Sequence, residues 1–157
     1  MCGIICYVGE KKAIPILIDG LKRLEYRGYD SAGVAILDGE DLWCRKQEGK
    51  IAGLEMEING IHSDASIGIG HTRWATHGVP SQINAHPHFD MGQNSAMVHN
   101  GIIENYGQLK ESLAADGVRF ESETDSEVLV QLIGKFYNGD LAFAIRQALQ
   151  LVQGTFG

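Results

Sequence analysis

The stretch that decides the fold is MCGIICYVG, residues 1–9, where a cysteine at position two leads directly into an apolar run. Gly3–Val8 lies between glycines and predicts a buried β-strand. A small residue at position two allows removal of Met1, which would leave a thiol and a free α-amine on Cys2. Their unperturbed pKa values, about 8.5 and about 7.7–8.0, suit a nucleophile that carries its own base. The alternative is a small apolar residue that only opens a strand.

Beyond this strand, strand-like and helix-like patterns occur in groups. Helices are predicted at about Lys12–Glu25, Lys50–Ile58, Asn105–Ala115, Thr124–Tyr137 and Asp140–Val152. Further strands are predicted at Gly33–Leu37, Leu42–Lys46, Ser66–Trp74, Ser95–His99 and Val118–Glu121. This grouping is not the strict alternation of a doubly wound parallel sheet, and it favours an α+β fold with layered sheets. A new strand pattern begins at Thr155–Gly157, so the chain is expected to stop within a domain.

The composition of the chain argues against several classes of protein function. The 157 residues predict one domain or a fragment of a larger one. Lysine plus arginine is 13 and aspartate plus glutamate is 20, and the resulting charge of −7 argues against a general nucleic-acid or membrane-surface binder. No apolar run approaches the roughly 20 residues of a membrane span, and no secretory signal pattern is present. The 3 cysteines, without a CxxC pair, predict reduced thiols and a cytoplasmic location.

Histidines are concentrated in one part of the sequence. Five of the six lie between residues 71 and 99, and His86-Pro87-His88 could supply two metal ligands. A zinc hydrolase is therefore one hypothesis, although no HExxH motif is present. Hydrogen bonds that anchor a loop are the other explanation.

Three further positions favour the chemistry of an α-amino acid. Arg73, at the end of a predicted strand, suits bidentate binding of a carboxylate, although a surface ion pair would also explain it. Asn100-Gly101 could form an oxyanion hole or a simple Asn-Gly turn. Asp125 could accept a substrate ammonium or favour a helix N-terminus. With Cys2 as nucleophile, this set suits attack on the side-chain amide of an amino acid.

Five longer stretches carry a resemblance to a known family: MCGI at the start, LEYRGYDSAG at 24–33, HTRWATHG at 71–78, NAHPH at 84–88 and VHNGIIEN at 98–105. Together they resemble the class II glutamine amidotransferases, which are N-terminal nucleophile hydrolases. The resemblance runs, in order, through essentially the whole chain. It implies a layered αββα fold in which two stacked antiparallel sheets lie between helix layers.

The resemblance also implies roles for individual residues. Cys2 would be the nucleophile and its α-amine the base, while Asn100 and Gly101 would form the oxyanion hole. Arg73 would bind the α-carboxylate of glutamine and Asp125 its α-ammonium. No metal or other cofactor is implied. Arg27 would support the N-terminal segment. The remaining implied residues would line the pocket: Trp74, Thr76, His77 and His86.

Within the family, Tyr26, Tyr29, Trp74 and residues 84–88 resemble the hexosamine-forming branch, whose full enzymes aminate fructose 6-phosphate and form homo-oligomers. Residues 1–157 would then be a truncated glutaminase domain, without the sugar-isomerising domains. Glutamine would be the substrate, with no nucleic-acid or membrane partner. The alternatives are a phosphoribosyl-pyrophosphate amidotransferase, a metallohydrolase that uses the histidines, and a glutamine sensor without activity.

Overall fold

The computed structural model describes residues 2–28, 30–75 and 78–157, which form two compact units that divide between Pro87 and His88. The first unit is mainly a sheet with two helices. Its elements, in chain order, are β1 (Gly3–Val8), α1 (Ala13–Leu24), a short 3-10 helix (Glu25–Arg27), β2 (Ser31–Asp38), β3 (Asp41–Glu48), α2 (Ile51–Ile58) and β4 (Ile67–Arg73).

All neighbouring strands of the first unit are antiparallel, in the order β1-β4-β2-β3. β2 and β3 form a hairpin, and its turn contains Gly39 at φ 66°, a conformation that glycine adopts without steric cost. β4 lies between β1 and β2, with Thr72 opposite both Gly3 and Ala32. The first and fourth strands of the chain are therefore direct neighbours.

One face of this sheet is covered by α1. The i, i+3, i+4 pattern buries Leu17, Ile18 and Leu21 against the sheet. A Cβ on Gly68 of β4 would lie 2.8 Å from the Leu17 Cδ1, so the absence of a side chain there allows close packing of helix on strand. This apolar layer fixes β4 and, through the ladder, the start of β1.

The second unit consists of short strands and three helices packed together. Its elements are β5 (His88–Phe89), β6 (Ala96–Met97), β7 (Gly101–Ile103), α3 (Tyr106–Ala115), α4 (Asp125–Phe136), α5 (Leu141–Leu151) and β8 (Gly154–Phe156). β5 pairs with β6 and β7 with β8, both antiparallel. Its core combines the following buried residues of β7 and the helices: Ile103, Leu113, Val128, Leu129, Leu132, Ile133, Ala144 and Ala148.

Side chains accept hydrogen bonds from backbone N–H groups at and before the N-terminus of α4. Thr124 is the N-cap and its hydroxyl accepts the N–H of Glu127 at 3.2 Å, as the capping-box sequence predicts. The Glu127 carboxylate reaches further back than that motif requires, because it accepts the backbone N–H groups of Glu121 at 2.8 Å and Ser122 at 2.6 Å. Residues 121–124 are thereby fixed onto the first turn of the helix.

Most predicted elements are confirmed, but the strand predicted at Val118–Glu121 is wrong. Val118 and Phe120 pack against the core of the second unit, and the Glu121 N–H bonds to Glu127 instead of a neighbouring strand. The strand predicted at Ser95–His99 is only two residues long, β6. Among the described residues, no helix is long and apolar enough to cross a membrane.

Candidate active site

Cys2 lies directly before β1, and the first residue of β1, Gly3, pairs with Thr72 near the end of β4. The Gly3 N–H donates to the Thr72 hydroxyl at 3.1 Å, and the Trp74 N–H donates to the Cys2 Sγ at 3.2 Å. The Sγ also lies 3.5 Å from the Trp74 carbonyl oxygen. The fold therefore fixes the position of this thiol against the backbone of Trp74.

The other two cysteines lie in less favourable surroundings. Burial raises the pKa of Cys44 to about 11, and the charges of Lys46 and Arg45 offset this only in part. Partial burial raises the pKa of Cys6 as well, although that residue is exposed. A raised pKa lowers the thiolate fraction and with it the nucleophilicity at neutral pH. Cys2 is therefore the best candidate nucleophile of the three.

Asp30 fixes the segment that contacts Cys2, and sequence reasoning did not select it as a site residue. Its backbone N–H donates to the Arg73 carbonyl at 3.2 Å, and its carboxylate accepts the Ala75 N–H. The Ser31 hydroxyl donates to the second carboxylate oxygen at 2.9 Å. Trp74, which lies between Arg73 and Ala75, is thus held from both sides with its N–H toward the thiol.

Arg73 is buried at the end of β4 and extends into the following loop. Its Nη2 donates to the Gly78 carbonyl at 3.2 Å and its Nη1 to the Val79 carbonyl at 3.3 Å. The Asn84 amide donates to the same Val79 carbonyl at 3.0 Å. The guanidinium and the 78–84 loop therefore position each other. Binding of a carboxylate by Arg73 stays a prediction.

His71 and His86 stack in the first unit, with ring centroids 4.2 Å apart and both side chains buried. The His86 carbonyl oxygen packs so closely on Gly33 of β2 that a Cβ there would collide with it. His88 bonds to the Thr124 hydroxyl through Nε2 at 3.0 Å. Within the described residues no group of three potential ligands surrounds a metal position, and these histidines have packing and hydrogen-bond partners.

In the second unit, Asn100 precedes β7 and Gly101 is its first residue. Asn100 and Gly157 exchange both backbone hydrogen bonds, at 3.0 and 2.8 Å. Because such pairs alternate along an antiparallel ladder, the N–H of Gly101 points away from β8. The N–H of Ile103 points the same way and donates to the Asp125 Oδ2 at 2.7 Å. The backbone N–H of Gly101 is thus a hydrogen-bond donor on the side of β7 that faces away from β8.

Asp125 is the first residue of α4 and is buried, so its carboxylate lies at the positive end of the helix dipole. The nearby His99 is also buried, and its Nδ1 lies 2.8 Å from the Ser126 hydroxyl. Burial lowers the pKa of His99, and Asp125 and a hydrogen bond with the Thr155 backbone oppose this in part. The first turn of α4 is therefore a polar, tightly bonded part of the second unit.

The predicted site residues are divided between the units. The first contains Cys2, Arg27, Arg73, Trp74 and His86, and of these the structure joins Cys2 directly to Trp74. Arg27 lies in the 3-10 helix and the Trp74 side chain is about half exposed. The second contains Asn100, Gly101 and Asp125. Thr76, His77 and Tyr29, on which the sequence prediction also rested, lie outside the described residues.

Comparison with known families shows the family of this chain. A model described as a glutamine amidotransferase domain matches residues 44–148, about two thirds of the chain. The chain belongs to this glutamine amidotransferase family. The matched span includes Arg73, Asn100 and Asp125. Cys2 precedes the span, but a relative from Chlorobaculum tepidum aligns with the whole chain, including Cys2.

Several curated relatives of this glutamine amidotransferase domain carry the name glutamine–fructose-6-phosphate aminotransferase [isomerizing]. The protein from Symbiobacterium thermophilum is 51% identical over 156 residues and the one from Aquifex aeolicus 53%, each over 99% of this chain. The Chlorobaculum tepidum protein is 52% identical over 164 residues. The chain spans about a quarter (26%) of the length of these relatives.

Two solved structures confirm the fold class. One is the glutamine phosphoribosylpyrophosphate amidotransferase from B. subtilis, with a TM-score of 0.81 and 32% identity. The other is described as the allosteric regulatory enzyme of purine biosynthesis, with a TM-score of 0.86 and 31% identity. Each match covers 99% of this chain and 34% of the other. The α+β prediction and the predicted amidotransferase family are thus confirmed.

Proposed function

We propose that this domain hydrolyses the side-chain amide of glutamine to glutamate and ammonia, with Cys2 as the nucleophile. The observation that carries the proposal is the Trp74 N–H directed at the Cys2 Sγ, in a member of the glutamine amidotransferase family. Removal of Met1 would place a basic α-amine on the same residue as this thiol. That amine takes the thiol proton as the sulfur attacks the amide carbon.

Attack converts the amide carbonyl into a tetrahedral oxyanion, which needs hydrogen-bond donors. The Asn100 side-chain amide and the Gly101 N–H supply them, and the outward direction of the Gly101 N–H supports this role. Collapse transfers the proton to the leaving nitrogen, releases ammonia and leaves a glutamyl thioester on Cys2. Water, deprotonated by the α-amine, then attacks the thioester carbon and releases glutamate and the thiol.

Charged residues select glutamine among amides. The Arg73 guanidinium binds the α-carboxylate, since its planar fork matches two carboxylate oxygens. Asp125 accepts the α-ammonium with the carboxylate oxygen that does not bond to Ile103. Trp74, Thr76, His77 and His86 line the pocket, and Arg27 supports the N-terminal segment. These roles follow the resemblance of the corresponding motifs to the family.

For the whole protein, we propose transfer of the ammonia to fructose 6-phosphate, with glucosamine 6-phosphate as the product of hexosamine biosynthesis. The names of the curated relatives, at about 50% identity, support this acceptor. Residues 1–157 would be the glutaminase part of a cytoplasmic homo-oligomer that also carries sugar-isomerising domains. Phosphoribosyl pyrophosphate is the second candidate acceptor, supported by the match to the B. subtilis enzyme at the lower identity of 32%.

The decisive experiment measures glutamate release by the protein expressed from its complete reading frame. Four forms are compared, each verified by intact mass: Met1 removed, Met1 retained, Cys2→Ala and the control Cys6→Ala. Retention of Met1 turns the basic amine into a planar amide, so it is expected to abolish turnover, as Cys2→Ala does. Cys6→Ala should retain activity.

Equal rates with and without Met1 would exclude the α-amine as base. An electrophilic glutamine analogue provides a second measurement, because the adduct should be found on Cys2 by mass spectrometry. An adduct on Cys6 or Cys44 instead would contradict the assignment of the nucleophile. Ammonia transfer to each of the two sugar phosphates, measured with the same preparation, then identifies the acceptor.

A further inference from the structure

A buried histidine contact adjoins the proposed oxyanion donors. Asn100 lies between the two-residue β6 and the three-residue β7, and its backbone exchanges two hydrogen bonds with Gly157. The preceding residue, His99, is only 4% exposed, and its Nδ1 lies 2.8 Å from the Ser126 hydroxyl. Ser126 is the second residue of α4 and is itself 3% exposed. The bond thus joins two buried side chains.

The His99 ring packs directly against Gly101. A Cβ built on Gly101 would lie 2.9 Å from the His99 Nε2 and would collide with the Thr155 carbonyl oxygen. Gly101 also has φ 151°, a conformation that L side chains rarely adopt. The imidazole therefore forms one wall of the space in which the Gly101 backbone, and its outward N–H, is placed.

The first turn of α4 holds β7 on the other side of Gly101 as well. The Ile103 N–H donates to the Asp125 Oδ2 at 2.7 Å, and Asp125 is the neighbour of Ser126. One helical turn therefore binds the chain through His99 before the donor pair and through Ile103 after it. With one attachment on each side, both the position and the rotation of the segment Asn100–Gly101 are fixed.

We propose that Ser126 is a positioning residue of the glutaminase site, which acts through His99 to hold Asn100 and Gly101 in the geometry of the oxyanion hole. This inference rests on the proposed function. Oxyanion donors act at about 2.7–3.1 Å from the developing charge, and a displacement well below 1 Å weakens them. Since that charge exists only in the transition state, displacement lowers kcat more than it weakens glutamine binding.

The test compares three variants of the protein expressed from its complete reading frame, with Met1 removed. Ser126→Ala deletes the hydroxyl that bonds to His99, and Ser126→Thr retains a hydroxyl. Ser122→Ala is the matched control, because this buried hydroxyl bonds to Thr124 and Glu127 at the same helix end but not to His99. Measurements are kcat and KM for glutamine hydrolysis, the midpoint of thermal unfolding, and the amide NMR shift of selectively labelled Gly101.

We expect Ser126→Ala to lower kcat about tenfold with KM nearly unchanged, and to move the Gly101 amide signal. Ser126→Thr should recover most of kcat, and Ser122→Ala should lower the unfolding midpoint without lowering kcat. Unchanged kcat in Ser126→Ala, or an equal loss in Ser122→Ala, would overturn the inference and leave the proposed function intact. If wild type does not hydrolyse glutamine, the proposed function fails by itself. The Gly101 signal then decides the positioning role, and an unmoved signal in Ser126→Ala would overturn it.

Discussion

The two units hold their candidate catalytic groups by different means. Cys2 continues the six-residue strand β1, which pairs along its whole length with β4, and β4 pairs in turn with β2. Gly101 opens β7, which is three residues long and pairs with the three-residue β8. A long ladder fixes the strand that follows the thiol, whereas a short ladder and side chains of α4 together hold the segment of the oxyanion donors.

This difference bears on how each half of the site responds to substitution. In a long ladder the loss of one hydrogen bond leaves the others, so the position of the strand is overdetermined. At β7 the ladder is shorter, and it is supplemented by the bond from the Ile103 N–H to Asp125 and by the contact of Ser126 with His99. Single side-chain changes are therefore expected to alter catalytic geometry more in the second unit than in the first.

Asn100→Ala should have the largest effect among the changes that test this comparison, because it removes a proposed donor rather than its support. We expect kcat to fall by about 10²–10³, the usual effect of one lost oxyanion donor. The unfolding midpoint should change little, since the backbone bonds of Asn100 to Gly157 remain. Asn138→Ala, an exposed position of the same unit, is the control. Raised KM at unchanged kcat would instead assign Asn100 to substrate orientation.

Thr72→Val tests the ladder in the first unit. The substitution keeps the shape of the side chain but leaves the Gly3 N–H, next to Cys2, without its acceptor. A buried donor without a partner costs about 1–3 kcal/mol of unfolding free energy, which chemical denaturation would measure. Because the other β1–β4 pairs and the Trp74 N–H remain, kcat should stay close to wild type. A greater kcat loss than in Ser126→Ala would refute the contrast between the units.

The sequence predicts the long elements well and the short ones poorly. β1 agrees with prediction residue for residue, because an apolar run between glycines defines both of its ends. β5 and β7 were not predicted, since two or three residues are too few to show a period. Val118–Glu121 has the composition of a strand, but the Glu127 side chain, six residues after Glu121, takes its backbone donor. Tertiary contacts decide such segments, and a local pattern does not contain them.

The candidate site shows the same limit. Cys2, Arg73 and Asn100 could be selected because their residue types have recognisable chemistry. Thr72, Asp30 and Ser126 could not, because each acts through contacts with residues that lie 27 to 69 positions away. The backbone N–H of Trp74 carries no residue-type signal at all. Groups that perform the chemistry can be read from sequence, whereas the groups that position them need the fold.

The smallest expected effect concerns the pH dependence of stability, and it belongs to the second unit. Burial lowers the pKa of His99 below 6.5, and the groups that oppose this shift are Asp125 of α4 and the Thr155 backbone of β8. The unfolded chain therefore binds a proton at a higher pH than the folded chain does. Linkage then requires that stability rises with pH between the lowered pKa and about 6.5. Above that window the contribution of neutral His99 is complete, and it is lost as the pH falls through the window.

Urea unfolding of wild type and His99→Asn, followed by circular dichroism between pH 5 and pH 8, measures this contribution. Asparagine does not titrate, so the difference in unfolding free energy between the two proteins should be largest above pH 6.5 and should shrink toward pH 5. His62→Asn is the control, because it replaces an exposed histidine of the first unit. A difference between wild type and His99→Asn that stays constant, or grows as the pH falls, would mean that His99 is not held neutral between α4 and β8.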